Sequence, residues 1–225
     1  MNLIYKGKTK DVYENPDGSY TLKLKDDATG KDGVFDPGEN AVGLSIDGLG
    51  RESLRLSAYF FEMLAARGVP THYLGCDLQN VAMRVRPAKA FGQGLEFVCR
   101  LKAVGSFVRR YGSYAQMGDN LDFLVEATLK DDERGDPPAE KDTLVALGIL
   151  TAQEFENCKA LTKSIAGLIA DDLAAKGMEL WDLKFEFGKA GDEIVLIDEV
   201  SGGCMRVYKN GEIVHPMDLT KFILG

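Results

Sequence analysis

The chain has 225 residues, 45% of them hydrophobic, which is enough for a sizeable core in one large domain or two small lobes. Its 35 acidic residues outnumber its 27 basic ones, and the formal net charge of −8 argues against a protein that wraps nucleic acid. No apolar run approaches the roughly 20 residues of a membrane span, and the N-terminus lacks the apolar stretch of a signal peptide. We therefore expect a cytoplasmic protein with no nucleic-acid or membrane partner.

The cysteines and histidines do not predict a metal centre. The four cysteines lack CxxC spacing, so we interpret them as reduced thiols and not as a zinc site or a disulfide framework. The two histidines, His72 and His215, lie far apart in the sequence. A histidine-based metal site or a serine–histidine relay is therefore not expected.

The N-terminal segment predicts a β-hairpin. Residues 4–13 have the composition of a strand interrupted by Lys-Gly-Lys, and residues 19–25 (SYTLKLK) alternate as a half-buried strand does. Residues 15–18 form the turn between them, because proline presets one dihedral angle and glycine tolerates the other. Residues 25–50 are polar and glycine-rich, and we interpret them as a long loop that is functional or mobile.

Helical spacing of apolar side chains predicts two helices. The first covers residues 51–67 and is followed by glycine and proline, which end helices. The second, at residues 151–176, is the clearest in the chain. Thr151 can cap it, with Glu154 in the capping-box position, and Gly177 can close it.

Short strands complete the predicted secondary structure. They are expected at residues 81–85, 95–99, 122–129, 179–187 and 193–200. Hairpins mixed with a few helices indicate an α+β fold. The Arg-Pro pair that ends the first of these strands marks a lobe boundary, which divides the chain into residues 1–87 and 88–225.

Alternating charges on the C-terminal strands form a candidate metal–phosphate site. Asp182, Lys184 and Glu186 point to one face of a strand, since side chains alternate with period 2. In a hairpin with the following strand, Asp198 would lie near Glu186. Two carboxylates and a lysine are what a magnesium–phosphate site requires, because carboxylates hold the cation and the ammonium neutralises phosphate. The alternative is a solvated strand face with ordinary salt bridges.

Two further segments carry phosphate-binding side chains. Gly7-Lys8-Thr9-Lys10 lacks the spacing of a Walker A loop, but its backbone N–H and ammonium groups can cover phosphates. The alternative is an ordinary lysine-rich terminus. Residues 100–110 combine arginines with a Gly-Ser pair, which suits a phosphate or an oxyanion. Here the alternative is an ordinary basic turn or helix.

Taken together and in order, these segments resemble one family, the SAICAR synthetases (phosphoribosylaminoimidazole-succinocarboxamide synthases) of purine biosynthesis. The resemblance runs through most of the chain. The segments that carry it are YKGKTKDVY, LKDDATGKDG, RGVPTHYL, EFVCRLKAVGSFVRRYG, LKDDERGDP, WDLKFEFG and LIDEVSGGCMR. One such match is weak, whereas seven in order are a strong family signal.

The resemblance implies a two-lobed SAICAR synthetase-like fold. Its antiparallel, β-rich lobe (1–87) would cover ATP, and its larger α+β lobe (88–225) would carry the metal and substrate sites. The implied enzyme is an ATP- and Mg²⁺-dependent C–N ligase. It would join the carboxylate of 5-amino-1-(5-phosphoribosyl)imidazole-4-carboxylate to the amine of L-aspartate through an acyl phosphate. A homo-oligomer is possible in this family.

The resemblance also implies roles for individual residues. Those implied to bind ATP are Gly7, Lys8, Lys10, Met83, Val85 and Lys130. Those implied to hold Mg²⁺ are Glu186 and Asp198, with Lys184 and Arg206 as catalytic residues. Those implied to face the phosphoribosyl substrate are Glu96, Arg100, Ser106 and Arg206.

Three positions depart from the family pattern. Leu49, Leu101 and Gly203 stand where the family has polar side chains, and all three are expected on the substrate side. The hypothesis is that the phosphoryl chemistry is preserved while the acceptor pocket is altered, unless Arg51 or Arg55 supplies the missing charge. Alternatives to SAICAR synthesis are a paralogous ATP-dependent amide ligase with another acid and amine, a small-molecule kinase and a non-catalytic nucleotide binder.

Overall fold

The computed structural model describes residues 1–38 and 41–225, in two compact units. The first unit comprises Met1–Lys89, Gly188–Gly203 and His215–Gly225, and the second comprises Ala90–Phe187 and Cys204–Val214. The first crossing point lies two residues beyond the expected boundary, and two later segments return to the first unit. The functions assigned to the two lobes stay predictions.

Runs of antiparallel strands separated by a few helices along the described residues are typical of an α+β fold. The strands are β1 (Asn2–Lys6), β2 (Lys10–Glu14), β3 (Tyr20–Leu24), β4 (Asp27–Lys31), β5 (Val34–Phe35), β6 (Val42–Ser45), β7 (Tyr73–Asp77), β8 (Ala82–Val85), β9 (Lys89–Ala90), β10 (Leu95–Lys102), β11 (Asn120–Leu129), β12 (Glu179–Ala190), β13 (Glu193–Ile197), β14 (Met205–Lys209) and β15 (Glu212–Ile213). The helices are α1 (Leu49–Ala65), α2 (Ser106–Tyr111), α3 (Lys141–Ala146), α4 (Ala152–Ala175) and α5 (Pro216–Leu224). None of these helices has the length and hydropathy of a membrane span.

The first unit is built on a five-stranded antiparallel sheet in the order β1-β2-β3-β8-β7. The predicted hairpin is confirmed, because β2 and β3 pair from Lys10–Leu24 to Glu14–Tyr20. The interruption in residues 4–13 is in fact a chain reversal: the Gly7 N–H donates to the Lys10 carbonyl at 2.9 Å, and β1 folds back on β2.

The expected long loop at residues 25–50 is wrong for its described part, since a small antiparallel sheet of β4, β5 and β6 forms there. Its strands are short and depend on glycines where backbones approach closely. A Cβ at Gly43 would lie 2.3 Å from the Gly30 carbonyl oxygen, and a Cβ at Gly30 would lie 2.2 Å from that of Val34. Glycine lowers strand propensity, so the pattern reads as a loop. Residues 39 and 40 of the expected loop lie outside the described residues.

Helix α1 supplies the core of the first unit, as its helical pattern predicts. It packs on β3 and β7 and buries Leu54, Phe60, Phe61 and Leu64. Its N-terminus is held by the Asp26 carboxylate, which accepts hydrogen bonds from the N–H groups of residues 48 and 50 at 3.1 and 2.9 Å. A carboxylate suits this end of a helix because unpaired N–H groups and the helix dipole favour negative charge there.

The second unit is built on antiparallel strands in the order β11-β10-β12-β14-β15, and β12 also pairs with β9 and β13. Helix α4 packs on β10 and β11 and has the predicted capping box between Thr151 and Glu154. Phe97 on β10 contacts Phe155 of α4, and Phe185 on β12 lies directly opposite Phe97. One face of the sheet is therefore apolar and covered by α4. The predicted strand at 193–200 ends at Ile197, three residues early.

Candidate active site

The opposite face of this sheet carries a polar stripe that crosses β11, β10, β12 and β14. Antiparallel pairing places Glu96 of β10 opposite Glu186 of β12, and Arg100 of β10 opposite Asp182 of β12. Asp182 lies in turn opposite Arg206 of β14. Side chains directly opposite one another in a sheet share a face, so strands distant in sequence bring these charges together.

Two ion pairs occupy one end of the stripe. The Lys184 ammonium lies 2.7 Å from a Glu96 oxygen, and the Lys130 ammonium lies 2.5 Å from a Glu186 oxygen. The Thr128 hydroxyl donates to the second Glu96 oxygen at 3.3 Å. Gly94 makes room for Lys130, because a Cβ at this position (φ +127°) would lie 3.1 Å from the lysine side chain. The structure thus brings together four of the predicted site residues.

The environment of Lys184 keeps it positively charged. Burial by itself would lower the pKa of the ammonium, but the Glu96 carboxylate, with a smaller contribution from Glu186, raises the pKa above its usual value. A fixed positive charge at this position suits a transferring phosphoryl group, whose charge must be neutralised.

Two arginines share a buried aspartate at the other end of the stripe. Arg100 Nη1 donates to Asp182 Oδ2 at 2.9 Å, and Arg206 Nη1 donates to the two Asp182 oxygens at 3.1 and 2.8 Å. All three residues are buried. Arg100 Nε also donates to Glu126 at 2.5 Å, and Arg110 pairs with the other oxygen of Glu126. We call these five residues the arginine cluster.

The segment before α2 fits closely around the arginine cluster. Arg100 Nη2 donates to the Ser106 hydroxyl oxygen at 2.9 Å. Gly105 has φ +56° and ψ −128°, a conformation that side chains rarely adopt, and a Cβ there would lie 2.8 Å from the Arg206 guanidinium. The predicted substrate residues Arg100, Ser106 and Arg206 are therefore neighbours, and glycine at 105 is a steric requirement of their arrangement.

In the first unit, Lys10 joins two adjacent acidic residues. Its ammonium lies 2.5 Å from Asp198 Oδ1 and 2.8 Å from Glu199 Oε1. Burial alone would lower the pKa of Lys10, but the two carboxylates raise it, Asp198 more than Glu199. Glu199 is also held by the Ser201 hydroxyl at 2.6 Å, and Ser201 accepts from the Gly203 N–H at 3.0 Å. A predicted ATP residue and a predicted metal residue are thus ion-paired.

The backbone at Asp198 is unusual and is supported by a buried histidine. Asp198 has φ +71°, in the left-handed region that non-glycine residues seldom adopt. The His72 ring Nε2 donates to the Asp198 carbonyl oxygen at 3.0 Å, since a carbonyl oxygen can only accept. Burial lowers the pKa of His72 to about 4. Strained backbone of this kind is concentrated at functional sites.

The other residues predicted to bind ATP all belong to the first unit. Gly7 and Lys8 belong to the turn between β1 and β2, where Lys8 is exposed. A Cβ at Gly7 would lie 2.5 Å from the Lys10 carbonyl oxygen, so the tight turn requires glycine. Met83 and Val85 are buried on β8. The expected contact of this strand with adenine stays a prediction.

The structure shows the surroundings of the three residues that depart from the family pattern. Leu49 is buried at the start of α1, as a core residue is. Leu101 lines a small cavity of about 270 Å³ together with Ala170 and Ala174 of α4. Gly203 donates its backbone N–H to the Ser201 hydroxyl at 3.0 Å, and a Cβ at this position would lie 3.3 Å from that hydroxyl oxygen.

The predicted donors for Mg²⁺ are the carboxylates of Glu186 and Asp198. Among the described residues, no group of three or more histidine, cysteine, aspartate or glutamate side chains could hold a metal by itself. Mg²⁺ commonly binds one or two carboxylates together with substrate phosphates and water, so a protein cage is not required. Glu186 and Asp198 each offer one carboxylate of this kind. Glu186 belongs to the second unit and Asp198 to the first, and their joint role as metal ligands stays a prediction.

Glu126 and Glu199 have no predicted role, and Asp182 is predicted only to share a strand face with Lys184 and Glu186. The structure places all three acidic residues in these networks. Asp182 and Glu126 follow the period-2 pattern of their strands, and that signal puts them on the polar face. Pattern alone does not reveal which distant arginine each one binds. Glu199 directly follows Asp198, and only the tertiary structure shows that Lys10 bonds both.

The comparisons with known proteins agree with the motifs. A family model described as SAICAR synthetase matches residues 3–219. A phosphoribosylaminoimidazole-succinocarboxamide synthase of Clostridium tetani is 56% identical over 226 aligned residues, covering 100% of both chains. These matches confirm the predicted family and the assignment to ATP-dependent C–N ligases of purine biosynthesis.

Solved structures confirm the predicted α+β fold class. A SAICAR synthetase from structural genomics superposes with a TM-score of 0.81 at 35% identity, covering 96% of this chain and 89% of that one. A SAICAR synthetase in complex with ADP superposes with a TM-score of 0.83 at 29% identity, covering 98% of this chain and 91% of the other. With the family model matched almost end to end, this chain belongs to the SAICAR synthetase family.

Proposed function

We propose that this chain uses Mg-ATP to join 5-amino-1-(5-phosphoribosyl)imidazole-4-carboxylate to L-aspartate. The observation that carries the proposal is the polar stripe of the second unit, on which Lys184 and Lys130 lie beside acidic partners and the arginine cluster lies farther along the same strands. One stripe thus offers groups for a transferring phosphoryl and groups for an anionic substrate. The ADP complex of a relative supports nucleotide binding.

The first step would be phosphoryl transfer to the substrate carboxylate. A carboxylate oxygen attacks the γ-phosphorus of ATP, the bond to the bridging oxygen breaks, and ADP leaves with that electron pair. Lys184, kept charged by Glu96, would neutralise the transferring group, and Lys10 and Lys130, with Gly7 and Lys8, would hold the nucleotide phosphates. Mg²⁺ supplies charge neutralisation at the phosphates when bound, and Glu186 and Asp198 are its proposed ligands.

The second step would be amide formation. The aspartate amine attacks the acyl carbon, the C–O bond to phosphate breaks, and the amine loses a proton as inorganic phosphate departs. Positioning is the main task of the protein in such a step. Arg100, Ser106 and Arg206 would bind the phosphoribosyl end, with Glu96 nearby on the same strand as Arg100.

Location and assembly are also proposals. A cytoplasmic location is supported by the biosynthetic family and by the four cysteines, all of which are free thiols. We expect small-molecule substrates and no nucleic-acid or membrane partner. A homo-oligomer stays a prediction.

One assay tests the function. Purified protein receives Mg-ATP and the imidazole carboxylate, with and without L-aspartate, and ADP and the succinocarboxamide are measured. Aspartate-dependent formation of both supports the proposal. ADP release only with other amines would instead indicate a paralogous amide ligase. Phosphate on a stable acceptor would indicate a kinase.

A variant pair tests the residue roles in the same assay. Lys184→Met should abolish turnover, because it removes the charge beside the phosphoryl group. Lys102→Met is the matched control, since Lys102 forms a partly exposed ion pair with Glu179 on the same sheet. Full activity of Lys184→Met would refute the assignment.

A further inference from the structure

We infer that Asp182 is a positioning residue that fixes the direction and separation of the Arg100 and Arg206 guanidiniums, and so determines binding of a phosphate-bearing substrate. The inference rests on the proposed function, in which these arginines receive the phosphoribosyl group. Asp182 itself is only 3% exposed and points its two oxygens at the arginines.

The geometry around Asp182 shows how it orients both side chains. Arg100 comes from β10 and Arg206 from β14, the two strands that flank β12. Asp182, on the strand between them, bonds one Nη1 atom on each side within 2.9 Å. Without this carboxylate, two buried guanidiniums would face each other across one strand, and like charges in a poorly solvated site repel.

The rest of the cluster limits where each guanidinium can move. Glu126 holds Arg100 Nε, and Ser106 accepts from Arg100 Nη2. Arg206 lies against the Gly105 backbone, where a Cβ would come within 3.0 Å of its terminal atoms. Asp182 bonds both arginines, so their relative placement depends on it.

The net charge of the arginine cluster distinguishes a positioning role of Asp182 from a purely electrostatic one. The arginine cluster holds three guanidiniums and two carboxylates, a formal charge of +1. Asp182→Asn raises that charge to +2. If Asp182 acted only through charge, the substitution would strengthen the attraction for an anion. If Asp182 positions the arginines, the substitution weakens anion binding although the site becomes more positive.

The test measures direct binding of ribose 5-phosphate, a probe for the phosphoribosyl end, by titration calorimetry. We expect Asp182→Asn to weaken this binding by about 10- to 100-fold, in line with the loss of charged hydrogen bonds. Binding of Mg-ADP, measured in the same way, should stay within about twofold of wild type. Glu179→Gln is the control, because it removes an exposed ion pair on the same strand, and it should leave both affinities unchanged.

A second variant, Asp182→Glu, keeps the inference testable if Asp182→Asn does not fold. Asp182→Glu keeps the charge but displaces the carboxylate, so positioning predicts weaker ribose 5-phosphate binding, whereas a role through charge alone predicts wild-type affinity. Unaltered or tighter binding by either folded variant overturns the inference, as does absence of binding by the wild type. Failure of the ligation assay with intact, Asp182-dependent binding would instead count against the proposed function alone.

Discussion

Lys10→Met is the most informative perturbation in the first unit. The substitution keeps an unbranched side chain but removes the ammonium that lies 2.5 Å from Asp198 and 2.8 Å from Glu199. Two neighbouring carboxylates would then face each other in a site where their side chains are 26% and 12% exposed. Each carboxylate must then either remain charged without the shared ammonium or take up a proton.

The expected cost follows from the degree of burial. Removing one partner of a fully buried pair costs about 3–5 kcal/mol, whereas an exposed pair contributes about 0–1 kcal/mol. Partial burial places Lys10→Met between these limits, at about 2–3 kcal/mol of unfolding free energy. For a chain of this length, that loss lowers the thermal midpoint by about 4–12 °C.

Magnesium should act in the opposite direction. Because the variant leaves two neighbouring carboxylates without the ammonium that joins them, added Mg²⁺ without nucleotide should raise its thermal midpoint more than that of the wild type. The assay is thermal unfolding followed by circular dichroism, with and without Mg²⁺. Lys141→Met serves as the control, since its pair with Glu156 is exposed on both sides. A midpoint loss no larger than the control's, or no added response to Mg²⁺, would refute the reasoning.

Three further outcomes follow from the structure. The pKa of His72 near 4 lies below its value of 6.5 in the unfolded chain, so the unfolded state binds an extra proton between those values. Stability should therefore fall as pH decreases from about 6.5 to 4, by up to ~3 kcal/mol, and His72→Gln should flatten this dependence in denaturant titrations at several pH values. Gly105→Ala should weaken ribose 5-phosphate binding by about tenfold or more in calorimetry, because its Cβ would displace Arg206; unchanged affinity would contradict the close fit. Thr151→Ala should lower the unfolding free energy by about 1 kcal/mol through loss of the capping box, and a change near zero in urea titrations would show that the cap is not needed.

Sequence patterns predict the longer elements of this fold well and its small sheet poorly. Helices α1 and α4 have sustained apolar periodicity, and α4 has its capping residues in the sequence, so both were predictable. The strands β4 to β6 are two to five residues long and include glycines packed against neighbouring backbone. Their stability comes from the pairing itself, which leaves little trace in local composition.

The sequence by itself determined the family, through seven motifs in order, and the polar face of β12, through strict alternation around Lys184. The tertiary structure decided the partners of those charges. Asp182 meets an arginine 82 residues away and another 24 residues away, because antiparallel registry aligns three strands at one level of the sheet. Such registry depends on the packing of whole strands. In the sequence these charges look like a solvated strand face, whereas in the folded chain the charges around Asp182 form a buried network.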